Sequence, residues 1–294
     1  MAYSGLIGAA AKTLVAAMAV ALTTGAAQAA ATCSAQLARG IPRATLPEQN
    51  GSAIMAHLEK ASGRERDKAV IRQVMSGNVP SFLRRLASVD IPGKLADGRD
   101  VLVTICVTPD YLAVGHDNDF VRVPMGLAAA AQIANETGFM LPTPKMVDAI
   151  YRQAKVRLTP QPMKPTAQME STDYLLRHNK TLNAQRKTTG QSMAALSAGQ
   201  KKDIVLTKRL RSKPGRVAIY GWHRPNGKPI QPLSTVHGAA YADYSHGVRL
   251  ISRTAFVNGE PRDLADLIQD KELAAIISSE GPIAQPGKLL AMQY

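Results

Sequence analysis

Val101 to Thr108 reads V-L-V-T-I-C-V-T, and six of those eight residues are β-branched. A branched Cβ keeps more freedom on a pleated strand than against the preceding turn of a helix. Turn-forming residues close both ends, Asp97-Gly98-Arg99-Asp100 before the run and Pro109-Asp110 after it, so the segment reads as a strand. Whatever this chain folds into contains a sheet built on that run. Y-L-A-V-G follows at once (Tyr111 to Gly115), and the two are expected to form a hairpin.

The same strand carries Cys106, one of only two cysteines. The other, Cys33, follows what reads as an export leader over residues 1–30. Lys12 is the only charge there, L-V-A-A-M-A-V-A-L supplies an apolar run, and A-Q-A offers small residues for cleavage near Ala29 or Ala30. This is the pattern of a signal peptide. The apolar run is shorter than the ~20 residues a membrane span needs, and no segment of the mature chain is long and apolar enough to cross a bilayer. The expected location is periplasmic or secreted, an oxidising setting in which a cysteine pair reads as one disulfide. Residues 31–294 are expected to form a single domain.

Once Lys12 is removed, 35 Lys and Arg stand against 22 Asp and Glu, a formal charge of +13. Such a field attracts anionic glycans, peptidoglycan, lipid headgroups or nucleic acid. Aromatic residues make up only 4% of the chain, too few for a base-stacking platform. Nucleic acid is therefore disfavoured, and an anionic polysaccharide or peptidoglycan is the expected partner. The stretch from Lys201 to Arg216 is rich in Lys and Arg, with Asp203 its only acid. It reads as a basic hairpin or a charged sheet edge.

Helical segments are expected from Ser52 (as N-cap), through A-V-I-R-Q-V-M after a charged break G-R-E-R-D-K, and through M-G-L-A-A-A-A-Q-I-A-N-E-T closed by Gly138. K-M-V-D-A-I-Y-R-Q-A and M-E-S-T-D-Y-L-L-R-H-N-K continue the set, and a further helix is expected to begin at Pro261. T-P-Q-P-M-K-P-T, residues 159–166, is a proline-rich strap. P-G-K at 92–94 reads as a turn, Asn258-Gly259 as a hairpin turn, and G-P-I-A-Q-P-G-K as a tail. His116-Asp117-Asn118-Asp119 lacks the alternating ligands of a calcium loop and reads as turn chemistry. His57 reads as an ordinary helix residue.

Chemistry-bearing residues concentrate between Arg216 and Ser252, which holds three of six histidines, the only tryptophan and three of eight tyrosines. At its centre stands H-G-A-A-Y-A-D-Y-S-H-G, residues 237–247. With Tyr244 to Leu250 read as a strand, Tyr244 and His246 share a face. Three uses compete. His237, His246 and Asp243 could hold a divalent metal such as zinc, although no dense metal-ligand spacing is present. Without a metal, His237 and His246 serve as acid and base, Asp243 orients them, and Tyr244 or Tyr241 holds substrate or donates a proton. Ser234 and Ser245 lack a G-x-S-x-G elbow. In the third use Trp222, His223 and Tyr241 form a sugar-stacking face. His178 and Lys202, with Asn179, Lys201 and Asp203, are the expected contributors from elsewhere, which would gather His178, His223, His237 and His246 in one cleft.

The sequence thus reads as an α+β fold, a mostly antiparallel sheet of roughly six strands flanked by helices. The expected function is an exported hydrolase or lytic enzyme acting on an envelope or extracellular polymer. The alternative is a non-catalytic glycan-binding or structural protein.

Overall fold

The computed structural model describes Cys33, residues 36–61 and residues 63–293. The leader read over residues 1–30 lies outside the described residues. The first elements are helices α1 (Gly51–His57) and α2 (Gly63–Met75), then strands β1 (Ala87–Lys94), β2 (Asp100–Val107), β3 (Ala113–His116) and β4 (Asp119–Arg122). Next come α3 (Leu127–Glu136), β5 (Phe139–Met140), α4 (Pro144–Gln153), β6 (Val156–Arg157) and α5 (Thr172–Thr188). Strands β7 (Ser197–Ala198), β8 (Lys202–Ile204), β9 (Ile219–His223), β10 (Pro229–Ser234) and β11 (His246–Gly247) follow. The chain closes with β12 (Ile251–Ser252), β13 (Thr254–Val257), β14 (Glu260–Asp263), α6 (Leu264–Gln269), α7 (Ala274–Ile277) and α8 (Pro286–Ala291).

The fold is α+β. Its six-stranded sheet runs β14-β13-β2-β12-β5, with β1 also paired to β2, and every pairing in it is antiparallel. Val103, Ile105, Cys106 and Val107 of β2 are fully buried, so the β-branched run is the floor of the core. A second sheet, β10-β9-β8-β11, carries the chemistry. Its β8–β11 contact is parallel, as is β6–β7. Cys33 is disulfide-bonded to Cys106, tethering the start of the described chain to β2. Closing a loop of 73 residues stabilises a fold by about 4 kcal/mol. Among the described residues no helix is long and apolar enough to cross a membrane.

Several local expectations change. β2 pairs with β1, and Ala113–His116 instead forms its own hairpin with β4. Pro92-Gly93 lies inside β1, a strand whose other edge needs no donor at a proline and is covered where the Gln153 amide brackets the Asp90 backbone at 3.0 and 2.6 Å. The G-R-E-R-D-K break is the first turns of α2. α1 starts one residue before Ser52, with Asn50 at its N-cap. The basic segment after β8 is a short 3-10 helix, Lys208–Ser212. Pro261 sits in β14 because Asp263, whose side chain accepts from the Ala265 N–H at 2.7 Å, starts the helix two residues later. The tail folds as α8. The Asn258-Gly259 hairpin and the left-handed Gly138 after α3 form as expected.

Candidate functional site

Strand β8 is the spine of the site. Cα pairing puts His246, Lys202 and Gly221 side by side across three strands, and Gly247, Asp203 and Tyr220 side by side one position on. Side chains alternate along a strand, so Lys202 and Asp203 project from opposite faces and carry two different sets of partners.

Regular alternation in β9 would put Tyr220 with Trp222, and Gly221 with His223. The structure does the reverse. Gly221 and Trp222 both adopt left-handed backbone, at φ 106° and 57°, and two such residues in succession swap the faces. Trp222 joins Lys202, whose ammonium lies 5.2 Å from the indole centroid. His223 joins Tyr220 on Asp148. Left-handed φ is a genuine outlier for a residue as bulky as tryptophan, and strain of that kind costs about 1–3 kcal/mol.

The Lys202 face is closed. Asp243 accepts from the Ser245 N–H at 2.7 Å and the Ser245 hydroxyl at 2.5 Å through Oδ1, and from the Tyr241 hydroxyl at 3.2 Å through Oδ2. Oδ2 also stands 4.0 Å from both Lys202 Nζ and His246 Nε2. His237 stacks on Tyr241 at 4.1 Å, and both rings pack edgewise on His246. Tyr244 links this group to Trp222, to His178 (4.9 Å) and to Tyr174. The buried ammonium of Lys201 donates to the Tyr244 carbonyl at 2.5 Å. Over them lies the proline-rich strap, where the Met163 N–H donates to the Tyr244 hydroxyl at 2.7 Å and the Tyr174 hydroxyl donates to the Lys164 carbonyl at 3.1 Å.

Both ring nitrogens of His178, both of His246 and Nε1 of Trp222 are buried without a hydrogen bond. Burial therefore dominates the protonation of this face. It drives His246 down to about 4 and His178 to about 2, with Asp243 partly opposing for both. It takes Lys201 to about 7, assisted by the Arg122 charge. For Asp243 burial pushes up, but His246, Lys202 and the Ser245 donors together hold it below the usual carboxylate range. Burial and the Asp243 charge raise Tyr241, keeping it a phenol.

The Asp203 face opens to solvent. His223 Nε2 and the Tyr220 hydroxyl each lie 2.9 Å from Asp148 Oδ1, and His223 stacks on Tyr151 at 4.5 Å. Asp203 accepts from the Tyr111 hydroxyl at 2.8 Å, and burial pushes it up to about 6. Behind both faces the buried Arg122 pairs with Asp110 at 2.6 Å, and Arg249 donates to the Thr108 and Ser197 carbonyls. A buried guanidinium without such partners would be strongly destabilising.

His237, Tyr241, Asp243 and His246 thus come together, with Lys202, Tyr244 and His178 around them. His223 does not join; the left-handed pair sends it across the sheet, so the expected four-histidine cleft does not form. Trp222 is 4% exposed and has no open ring face for a sugar. Tyr244 is buried, and its hydroxyl bonds to the Met163 backbone and ties the site to the strap. The expected strand from Tyr244 shrinks to His246–Gly247, because Asp243 turns the chain through Ser245. Sequence reasoning missed Asp148, Tyr220 and Tyr174, and Asp148 carries no distinguishing signal, since it lies beside Lys145 and Arg152 on the polar side of its helix. Arg122 and Arg249 did give one, since each interrupts an apolar run and so requires a partner.

Among the described residues no three His, Cys, Asp or Glu side chains come together as a metal-holding group, and His237, His246 and Asp243 do not supply a zinc set. No protein-family model, curated protein or solved structure matches the chain.

Proposed function

We propose that this protein is an exported hydrolase or related lytic enzyme acting on an anionic polymer of the cell envelope or extracellular space, with His246, Asp243, Tyr241 and His237 as its acid/base centre. The observation that carries the reading is His246, a wholly buried imidazole with neither nitrogen hydrogen-bonded, held 4.0 Å from a carboxylate. An unpaired buried polar atom costs about 1–3 kcal/mol, and a chain selected for stability alone would place an apolar residue there. A fold keeps such a group where its reactivity is used.

The parts suit proton transfer. With its pKa near 4, His246 is neutral at pH 7 and free to take a proton from an attacking water. Asp243, kept ionised, stabilises the imidazolium that forms. Tyr241, kept as a phenol, holds its proton on Asp243 in the free protein and turns it toward a leaving oxygen when substrate binds; its ring is half-buried at the edge of the cluster beside His237. Lys202 and the net positive charge favour an anionic chain. Export rests on the leader pattern of residues 1–30.

The test is release of soluble fragments from purified peptidoglycan and from polyuronates. Wild-type protein is expected to release them and folded His246→Leu is not. Retention of the polymer without release from either would replace catalysis with the non-catalytic glycan-binding reading.

A further inference from the structure

The open face of the second sheet holds a cavity of about 380 Å³, within the range of small-ligand sites. Asp148, Arg152, Arg157, Tyr220, His223 and the Pro225–Pro229 turn line it. Its carboxylate is anchored but only half used. His223 and Tyr220 both engage Asp148 Oδ1, whereas Oδ2 has no hydrogen-bond partner among the described residues, and the side chain is 34% exposed.

Arg152 stands one helical turn after Asp148 on α4, a spacing that permits an ion pair. None forms, and the exposed guanidinium makes no hydrogen bond or salt bridge among the described residues. Arg157 donates from Nε and Nη2 to the Tyr151 and Arg152 carbonyls at the end of α4, leaving Nη1 without a bond in the protein. The Tyr151 hydroxyl donates to the Arg224 carbonyl at 2.7 Å and ties the turn that forms the far wall.

Two guanidinium groups beside one carboxylate favour an anion, and guanidinium is suited to carboxylate and phosphate. A bare anion would also meet Asp148, whose free oxygen can only accept. The ligand therefore needs hydroxyl donors next to its charge. The geometry points to a binding site for a single sugar unit bearing a carboxylate or a phosphate, with the anion on Arg152 and Arg157 and a hydroxyl on Asp148 Oδ2. This site lies across β8 from His246 and does not depend on turnover.

The test is titration of the purified protein with glucuronate, a hexose phosphate, glucose and inorganic phosphate, read by calorimetry and by the His223 ring proton resonances. One or both acidic sugars are expected to bind with a Kd on the order of 1 mM and to shift His223, and whichever binds tighter names the source of the anion. Arg152→Ala should weaken that binding by about tenfold. In Asp148→Asn inorganic phosphate should bind more tightly while preference for the sugar falls, because the repulsion and the acceptor charge go together. Glucose or inorganic phosphate binding wild type as tightly as the acidic sugars would overturn the proposal. So would unchanged affinity in Arg152→Ala, or no binding of either acidic sugar at tenfold above the expected Kd.

Discussion

The two faces of the β8 sheet hold nearly the same residue types and treat them oppositely. On the open face the polar groups pair: His223 and Tyr220 share Asp148, and Tyr111 serves Asp203. On the closed face Asp243 is well bonded, but His246, His178 and Trp222 end on unpaired nitrogens. Pairing satisfies the polar groups of the open face beside its cavity, although burial still raises Asp203. Burial without pairing makes the closed face costly and shifts His246 and His178 toward neutrality, and burial does the same to Lys201 despite its bond to the Tyr244 carbonyl. Residue identity alone therefore does not mark a reactive site; the balance of burial against partners does.

The sharpest way to break this contrast is to delete one imidazole from each face. His246→Leu should lower fragment release by about 10²–10⁴-fold, the usual contribution of a general base. Its stability to urea should equal wild type or exceed it by up to about 2 kcal/mol, since unpaired nitrogens are exchanged for apolar volume. His223→Leu should instead lose about 1 kcal/mol, because Asp148 keeps only Tyr220 and water covers part of the loss. If His246→Leu is the less stable of the two, the imidazole is structural and the acid/base assignment fails.

The pH dependence of stability separates the faces next. His246 titrates near 4 when folded against 6.5 unfolded. Its contribution is whole above pH 6.5, and about 3 kcal/mol is lost as pH falls to 4. His178 acts in the same direction. Asp203 is raised to about 6 from 3.8, so its contribution is present below pH 3.8, and about 3 kcal/mol is lost as pH rises through 6. These opposed slopes flatten the wild-type profile. Urea unfolding between pH 4 and 7 should show His246→Leu gaining on wild type toward acid, and Asp203→Asn falling behind it. Parallel profiles for all three would mean that neither group is buried as described.

Much of the scaffold was legible because its signals are local. The β-branched run from Val101 marked β2, Asn258-Gly259 marked the β13–β14 hairpin, and three prolines marked the strap. The closed site was partly legible for the same reason: Tyr241, Asp243, Ser245 and His246 touch one another within six residues of chain. Its remaining members come from α5, β8 and β9, and nothing in their own neighbourhoods announces where they pack. Of the open face the sequence reading names only His223 and Asp203, and it places both in the other cluster. Asp148 looks like the polar edge of a helix, and His223 was assigned to the wrong group because tryptophan is a poor predictor of left-handed backbone. Packing on Lys202 and Tyr244, with the Trp222 backbone N–H donating to the Lys201 carbonyl at 3.0 Å, holds Trp222 there.

That kink offers a smaller and more specific break. Gly221→Ala puts a Cβ on backbone at φ 106°, 3.3 Å from a Val147 methyl, and should cost about 2 kcal/mol. Relaxing the strain rotates Trp222 and His223 together, so the variant should perturb the ring resonances of His223 and the indole fluorescence in the same sample. A shift in one without the other would show that the faces are set independently, and that the left-handed pair is not their common switch.

The least costly change tests whether the closed face opens separately from the core. Residues 159–166 are mostly exposed and are held by few bonds: Tyr174 to the Lys164 carbonyl, Tyr244 to Met163, and Gln185 to the Thr159 carbonyl. Tyr174→Phe removes the first at about 1 kcal/mol and leaves the ring against Tyr244 at 5.8 Å. Hydrogen exchange at Met163 should then quicken by about fivefold, while the Lys202 amide, bonded to the Ser245 carbonyl at 2.8 Å, keeps its wild-type rate. Fragment release should rise with it if the strap limits access to His246. Equal acceleration at both amides would make the strap part of the same cooperative unit as β8. Substrate would then have to reach the buried imidazole from the side, past His237 and Tyr241, and the tyrosine would be the gate as well as the acid.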